Sequence, residues 1–158
     1  MPKAVVITCS NRASSGVYAD RSGPVLVSAL RDWGFETDDA VIVPDGDPVG
    51  VALRAAVAEG VELVLTTGGT GLSPTDHTPE QTAVLLDRQV PGIPQALRAA
   101  GVAKAVPTAV LSRGLAGIAG RTLIVNLPGS TGGVQDAVEV LAGVIPHAVA
   151  QMRGGGAH

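Results

Sequence analysis

The feature that most constrains this chain is an alternation of short apolar runs with helical patterns. Lys3–Cys9 and Val61–Thr67 are continuous apolar runs, as expected for strands that are buried on both faces of a sheet. Thr37–Val43 is predicted to be a further strand. Between these runs, apolar residues recur at helical spacing, and the helical segments end near Gly34 and Gly60. This order predicts an α/β fold with helices on both faces of a mostly parallel sheet.

The connecting and later segments complete the predicted order. Ser10–Ser22 is polar and is predicted to be a loop, and Asp47 is expected to cap the helix that follows strand two. Thr78 is predicted to be the N-cap of another helix, with Pro79 in its first position. The later elements are predicted as a helix over Gly92–Val102 and short strands over Thr108–Ser112, Leu115–Ile118 and Arg121–Asn126, with an antiparallel pair at one edge. A last long helix follows, with an apolar stripe from Val134 to Ile145, and Pro146 is expected to kink or interrupt it.

Length and composition exclude several classes of protein. The 158 residues fit a single domain, predicted over 1–153 with a disordered tail at 154–158. A formal charge of −3 and only three aromatic residues argue against nucleic acid as a partner. No apolar run approaches the ~20 residues of a membrane span, and the Ala4–Thr8 run is too short for a signal peptide, so we expect a cytoplasmic protein. The single cysteine, Cys9, is expected to be an apolar residue of a buried strand.

The segment that carries the clearest chemistry is Thr66–Glu80, directly after the third predicted strand. Ligands of doubly wound sheets bind beyond the carboxyl ends of the strands. Gly68, Gly69 and Gly71 allow positive φ angles and close approach of a ligand, so their amides are predicted to bind an anion. A tight turn between strand and loop would also explain this glycine pattern, which is neither a P-loop nor a dinucleotide fingerprint.

Two aspartates follow strand ends and are candidate metal ligands. Asp76 lies a few residues beyond the glycine segment, at a position that suits a Mg²⁺ ion shared with phosphate oxygens. Asp45 follows the second strand, where a simple turn role is an alternative. The three histidines do not have the spacing of a zinc site.

Two further strand ends supply candidate phosphate contacts. Arg12 offers a bidentate contact and Ser10 a hydroxyl, although this segment, taken alone, is better explained as a solvated loop. Ser130 begins the last helix, where it is predicted either to cap the helix or to contribute to an anion site.

These motifs resemble the molybdopterin adenylyltransferase family, which includes the gephyrin G domain. The resemblance extends over Val5–Ala150, with SNRASSGVYADRSGP as the first loop and VPDG as the strand-two aspartate motif. LVLTTGGTG with the Asp76–Glu80 segment is the most specific block. The segments TAVLSR at Thr108–Arg113 and LIVNLPGS at Leu123–Ser130 complete the pattern.

The resemblance implies a three-layer α/β domain, a homotrimer and an activity. That activity is adenylylation of molybdopterin: its terminal phosphate attacks the α-phosphorus of Mg-ATP and pyrophosphate leaves. Molybdopterin and ATP are then the substrates, Mg²⁺ the cofactor, and the molybdenum-insertion enzyme a possible partner. Asp45 and Asp76 match the essential aspartates, and further binding positions fall on Ser10, Arg12, Gly68, Gly69, Thr70, Gly71, Thr78, Pro79, Glu80, Ser112, Asn126, Pro128, Gly129 and Ser130.

Two residues depart from the family pattern. Asn11 stands where many relatives have aspartate, and His77 replaces a small apolar residue beside Asp76. They are the only sequence support for an alternative function, a non-catalytic molybdopterin-binding or scaffolding module. A third interpretation is an unrelated nucleotide-binding α/β protein, which would bind nucleotide but no pterin.

Overall fold

The computed structural model describes residues 1–155 and contains one sheet with helices on both of its faces. The strands are short and the helices vary from one to four turns. In chain order, the elements are β1 Ala4–Cys9, α1 Asn11–Ser14, α2 Ser22–Asp32, β2 Val41–Val43, α3 Asp47–Glu59, β3 Leu63–Thr67, α4 Thr78–Ala83, β4 Arg88–Gln89, α5 Gly92–Ala103, a 3-10 helix Pro107–Leu111, β5 Ala116–Ala119, β6 Thr122–Leu127, α6 Thr131–Ala142 and α7 Ile145–Met152.

The sheet has the strand order β2-β1-β3-β6-β5-β4. Strands β2, β1, β3 and β6 are mutually parallel, whereas β5 runs antiparallel to both β6 and β4. The predicted α/β class, the mostly parallel sheet and the antiparallel edge are therefore confirmed. The chain leaves β1 toward β2 and returns to β3 on the other side, so a crevice opens at the carboxyl ends of β1 and β3.

The core lies in two layers, one on each face of the sheet. Leu65 of β3 points into the layer that includes Leu30 of α2 and Leu141 of α6. Its neighbour Val64 points into the other layer, which includes Leu53 of α3. Because successive side chains of a strand alternate between faces, a strand covered by helices on both sides must be apolar throughout. The continuous apolar runs in the sequence have this cause.

Several predicted boundaries were wrong. Thr108–Leu111 of the predicted Thr108–Ser112 strand lies in a 3-10 helix, and only Ser112 has an extended backbone, since Pro107 fixes φ and lacks an amide proton at the helix start. The predicted loop Ser10–Ser22 contains α1 and the first residue of α2. The second strand is shorter than predicted, and the two-residue strand β4 was missed.

Helix ends differ from prediction by about one residue. Gly46, with φ of 90°, precedes α3, so Asp47 is the first helical residue rather than its cap. Thr78 likewise begins α4 and His77 occupies the cap position. The predicted interruption near Pro146 is confirmed, because α6 ends at Ala142 and Pro146 lies in the first turn of α7.

The last residues that the structure describes contact α7. The amides of Gly154 and Gly155 donate to carbonyls of α7, whereas residues 156–158 of the predicted tail lie outside the described residues. Within residues 1–155, no helix is both long and apolar enough to cross a bilayer.

Candidate functional site

The carboxyl ends of the parallel strands form a rim with two adjoining cavities. The larger cavity has a volume of about 620 Å³ and a mostly apolar lining, whereas the smaller, about 560 Å³, is more polar. One wall separates them and faces both. It is made by Gly68, Gly69, Asp76, Gly129 and Ser130. A ligand in one cavity therefore lies next to a ligand in the other.

Two of the three predicted glycines after β3, Gly68 and Gly69, adopt positive φ angles, whereas Gly71 does not. Gly68 has φ of +96° and packs so closely on the Cys9 carbonyl that a Cβ atom would clash with it. Gly69 has φ of +69°, and a Cβ atom there would lie 3.0 Å from Oδ1 of Asp45. Left-handed φ angles and close contacts both exclude larger residues. The glycines thus let β1 and the Asp45 carboxylate approach the loop.

The amides of this segment divide into occupied and free donors. The Gly68 amide donates to the Leu127 carbonyl at 3.0 Å, so it is not available to a ligand. Those of Gly69, Thr70 and Gly71 donate to no acceptor within residues 1–155. Three neighbouring free amides beside a cavity are a potential anion site.

Asp45 and Asp76 both line the smaller cavity. Oδ1 of Asp45 is buried and has no hydrogen-bond partner in residues 1–155. Burial is the main reason that the pKa of Asp45 is raised, opposed by the Asn11 hydrogen bond and reinforced by the negative charge of Asp76. Asp76 accepts a hydrogen bond from the Ser73 amide at 3.0 Å, and this contact orients its carboxylate.

The two carboxylates fit a magnesium ion better than a metal that needs a protein cage. No group of three or more His, Cys, Asp or Glu side chains arranged to hold a metal lies in residues 1–155. Mg²⁺ needs only one or two carboxylates, because substrate phosphates and water supply its other ligands. The unpartnered oxygen of Asp45 supports this assignment, since a buried acceptor without a partner is costly.

Asn11 supports Asp45 directly. Its side-chain oxygen accepts a hydrogen bond from the Asp45 amide at 3.0 Å, which fixes the backbone after β2. A carboxylate oxygen could accept the same bond, so asparagine preserves this contact without adding a charge. The departure of Asn11 from the family pattern therefore does not disrupt the site.

The structure brings most of the predicted site residues to the rim, but not all of them. Ser10 lines the smaller cavity and caps α1, accepting from the Ala13 amide at 3.2 Å. Arg12 is exposed on α1 and lines neither cavity. Of the remaining predicted residues, Thr70, Gly71, Ser112, Asn126 and Pro128 line the larger cavity, while Thr78, Pro79 and Glu80 line neither.

Asn126 serves the fold as well as the cavity. Its amide donates to the hydroxyls of Thr66 at 3.1 Å and Thr82 at 3.0 Å, and its oxygen accepts from the Leu115 amide. Both amide protons are occupied, so this side chain offers a ligand little beyond its remaining lone pair.

Sequence reasoning missed several residues of the site. Tyr18 lines the smaller cavity with its hydroxyl 3.0 Å from Ser10, and Asp20 accepts from Thr8 at 2.8 Å. Arg113 anchors the loop that carries Asp76. Two signals were available for Arg113: it follows the predicted Thr108–Ser112 strand, and it ends the TAVLSR segment of the family resemblance. Cys9 is buried in β1 as predicted, and burial raises the pKa of its thiol to about 12.

One consequence of the buried Asp45 charge is measurable. The raised pKa means that the folded protein binds a proton at this site more tightly than the unfolded chain. The charge therefore destabilises the fold at pH 7, and this cost disappears as pH falls below the unfolded value of 3.8. We expect Asp45→Asn to raise the midpoint temperature at pH 7, by on the order of 1–2 °C because solvent screens a half-buried group.

The comparison is made by thermal unfolding in EDTA between pH 7 and pH 4. The gain should shrink toward acidic pH, because a growing fraction of the wild-type Asp45 carboxyl is then protonated. Asp38→Asn, at an exposed position outside both cavities, is the control and should show no such trend. If the difference in midpoint temperature between Asp45→Asn and the wild type stayed constant across the pH range, the Asp45 charge would not be its cause.

The fold and the site define a class of protein: a doubly wound α/β domain with two adjoining cavities at its switch point, where Asp76 lines both cavities and Asp45 lines the smaller one. Comparison with known proteins specifies the family. The family model described as "Probable molybdopterin binding domain" matches residues 5–147. The chain therefore belongs to this molybdopterin-binding domain family.

Individual relatives agree with this assignment. The chain is 38% identical over 157 residues to the molybdenum cofactor biosynthesis bifunctional protein of Chlorobaculum tepidum, covering 98% of this chain but only 50% of that protein. The chain thus spans about half the length of that relative. It is 36% identical to the molybdopterin adenylyltransferase of Helicobacter pylori strain J99, covering 91% and 84% of the two chains. The molybdopterin biosynthesis Mog protein from Mycobacterium ulcerans superposes with a TM-score of 0.92 at 53% identity, covering 96% and 99%.

Proposed function

We propose that this protein adenylylates molybdopterin with Mg-ATP, giving adenylylated molybdopterin and pyrophosphate. The single observation that carries the proposal is the wall shared by two cavities, because the reaction joins two substrates at one phosphorus atom. An oxygen of the molybdopterin phosphate forms a bond to the α-phosphorus, and the bond from that phosphorus to the bridging oxygen of pyrophosphate breaks. The attacking phosphate is anionic near neutral pH, so no general base is required.

The linings suggest which substrate occupies which cavity. The larger, mostly apolar cavity suits a flat pterin ring, with Ser112 available for orientation. The smaller, polar cavity suits the triphosphate, since it contains both aspartates and lies beside the glycine segment. The phosphate of the pterin and the α-phosphate of ATP would then meet at the shared wall.

The contribution of the protein is positioning and charge neutralisation. Gly69, Thr70 and Gly71, whose amides are free, line the larger cavity, and Thr131 at the start of α6 lines the smaller one, so these groups would stabilise phosphate charge. Asp45 and Asp76 would hold Mg²⁺, which neutralises the triphosphate and stabilises the pyrophosphate that leaves. Nucleotidyl transfer depends chiefly on such alignment.

The test uses purified protein with molybdopterin, Mg²⁺ and ATP labelled at the α-phosphate. We expect label in adenylylated molybdopterin and an equal amount of pyrophosphate. Absence of product at saturating substrates would refute the enzyme. Binding assays then distinguish the other functions: a carrier module binds pterin without metal-dependent ATP binding, and an unrelated nucleotide-binding protein binds ATP but no pterin.

We also propose a homotrimer that acts in the cytoplasm, where its ATP is available, and that contacts the molybdenum-insertion enzyme. Exposed apolar side chains around the 3-10 helix, Val106, Val110 and Leu111, support an interface between copies. Sedimentation at micromolar concentration should give three times the chain mass, and a monomer would contradict the assembly.

A further inference from the structure

Arg113 contacts the loop between β3 and α4 with both its backbone amide and its side chain. Its backbone amide donates to the Thr70 carbonyl at 2.8 Å, and its Nε donates to the Gly71 carbonyl at 2.9 Å. Its Nη2 donates to the Asp76 carbonyl at 2.9 Å. A bidentate ion pair with Glu80, at 2.6 and 3.2 Å, completes the set. One side chain thus fastens the beginning of the loop, its end and the first turn of α4.

The loop itself has few other constraints. It extends over residues 68–77 without a helix or strand, and three of its residues are glycines. Internal contacts link Ser73 with Asp76, and the Thr78 amide donates to the Gly69 carbonyl at 3.1 Å. A segment of this composition has high conformational entropy, so its geometry depends on contacts from outside.

Arg113 itself lines neither cavity, so it does not border the space available to substrates. We infer that Arg113 is a positioning residue, which clamps the 68–77 loop so that Asp76 and Gly69 keep their places at the shared wall, and Thr70 and Gly71 keep theirs beside the larger cavity. Its catalytic consequence rests on the proposed adenylylation, whereas the clamp itself does not.

Glu80 fixes the orientation of the clamp. The hydrogen bonds from Arg113 lower the pKa of the Glu80 carboxyl, which therefore remains ionised at neutral pH. The guanidinium presents its donors in a planar fork, so it can bind this carboxylate and two carbonyls at once. Lysine keeps the charge but cannot reproduce the fork. Arg113→Lys is therefore the informative variant.

The first experiment measures amide hydrogen exchange of Ser73, Asp76 and Thr78, whose amides donate hydrogen bonds within the loop or across its ends, in the wild type and in Arg113→Lys. Loss of one or more of the carbonyl contacts should speed exchange in this loop by roughly five-fold, with no change in the β3 amides. The matched control is Arg31→Lys, because Arg31 also donates to a carbonyl, that of Thr37, at 3.1 Å, but lies far from the loop. Unchanged loop exchange in Arg113→Lys would overturn the clamp.

The second experiment measures kcat and KM of the same variants. A misplaced catalytic group costs on the order of 10²-fold in rate, so kcat of Arg113→Lys should fall at least ~10-fold while pterin affinity changes little. The kcat of Glu80→Gln should fall less than that of Arg113→Lys, because glutamine keeps one acceptor for Arg113. If loop exchange accelerates but kcat is unchanged, the positioning role is refuted and the proposed function stands. If the wild type forms no adenylylated product, the exchange data still decide the clamp.

Discussion

Asp76→Asn is expected to lower the turnover of molybdopterin adenylylation by a factor of at least ~10², the order of a lost electrostatic contact in a transition state. Asp76 lies in the wall between the two cavities, where its charge would hold the metal beside the reacting phosphates. Asparagine keeps the shape and retains an oxygen that can accept from the Ser73 amide, so the loop should keep its geometry. Pterin affinity is therefore expected to remain near that of the wild type.

The measurements are single-turnover rates with labelled ATP and pterin affinity by titration. Asp47→Asn is the matched control, because Asp47 is exposed, lies two residues after Asp45 in the chain and lines neither cavity. Its carboxylate accepts a hydrogen bond from the Gln81 side chain at 3.3 Å, and asparagine can keep that contact. Near wild-type turnover in Asp76→Asn would show that Asp76 is not a metal ligand.

Gly68→Ala is expected to destabilise the protein by about 3 kcal/mol or more, the largest effect on stability among the changes considered. Two costs add at this position. Alanine is strained at φ of +96°, and its methyl group would collide with the backbone carbonyl of Cys9. Backbone cannot rotate away as a side chain does, so β1 and β3 would have to separate at the rim.

Gly34→Ala separates the two costs. Gly34 has a similar φ of +89°, but a Cβ atom there would meet nothing within 4 Å. This variant should lose only the conformational term, about 1–2 kcal/mol. Denaturant unfolding of both variants gives the two free energies. Equal losses would show that close packing on Cys9 contributes nothing to the requirement for glycine.

The sequence contained much of this fold because its regular parts are local. Buried parallel strands must be apolar on both faces, so β1 and β3 were recognisable from short windows. The helix α5 was predicted within one residue of its ends. The 3-10 helix at Pro107–Leu111 was mistaken for a strand because a short apolar run fits either structure, and only packing against α5 decides between them.

The site was predictable only in part, for a similar reason. Asp45 and Asp76 were found because each follows a strand, and strand ends converge in this type of sheet. Arg12 was selected for its chemistry, but an exposed helix position carries it away from both cavities. The side-chain contacts of Arg113 join residues 33 to 42 positions apart in the chain, so no local pattern indicates them.

The hydrogen bonds of Asn126 have a consequence for strand alignment. Asn126 is paired with Thr66 across β6 and β3, and the side-chain contact between them lies in the interior. Sliding β6 by one residue would put Val125 or Leu127 opposite the Thr66 hydroxyl. Several buried polar groups would then lack hydrogen-bond partners, which would cost a few kcal/mol of stability. The buried Asn126 amide therefore fixes the register of β6 against β3. It sets how far the Pro128–Ser130 turn projects past the end of β3, and so the position of Gly129 and Ser130 in the wall between the two cavities.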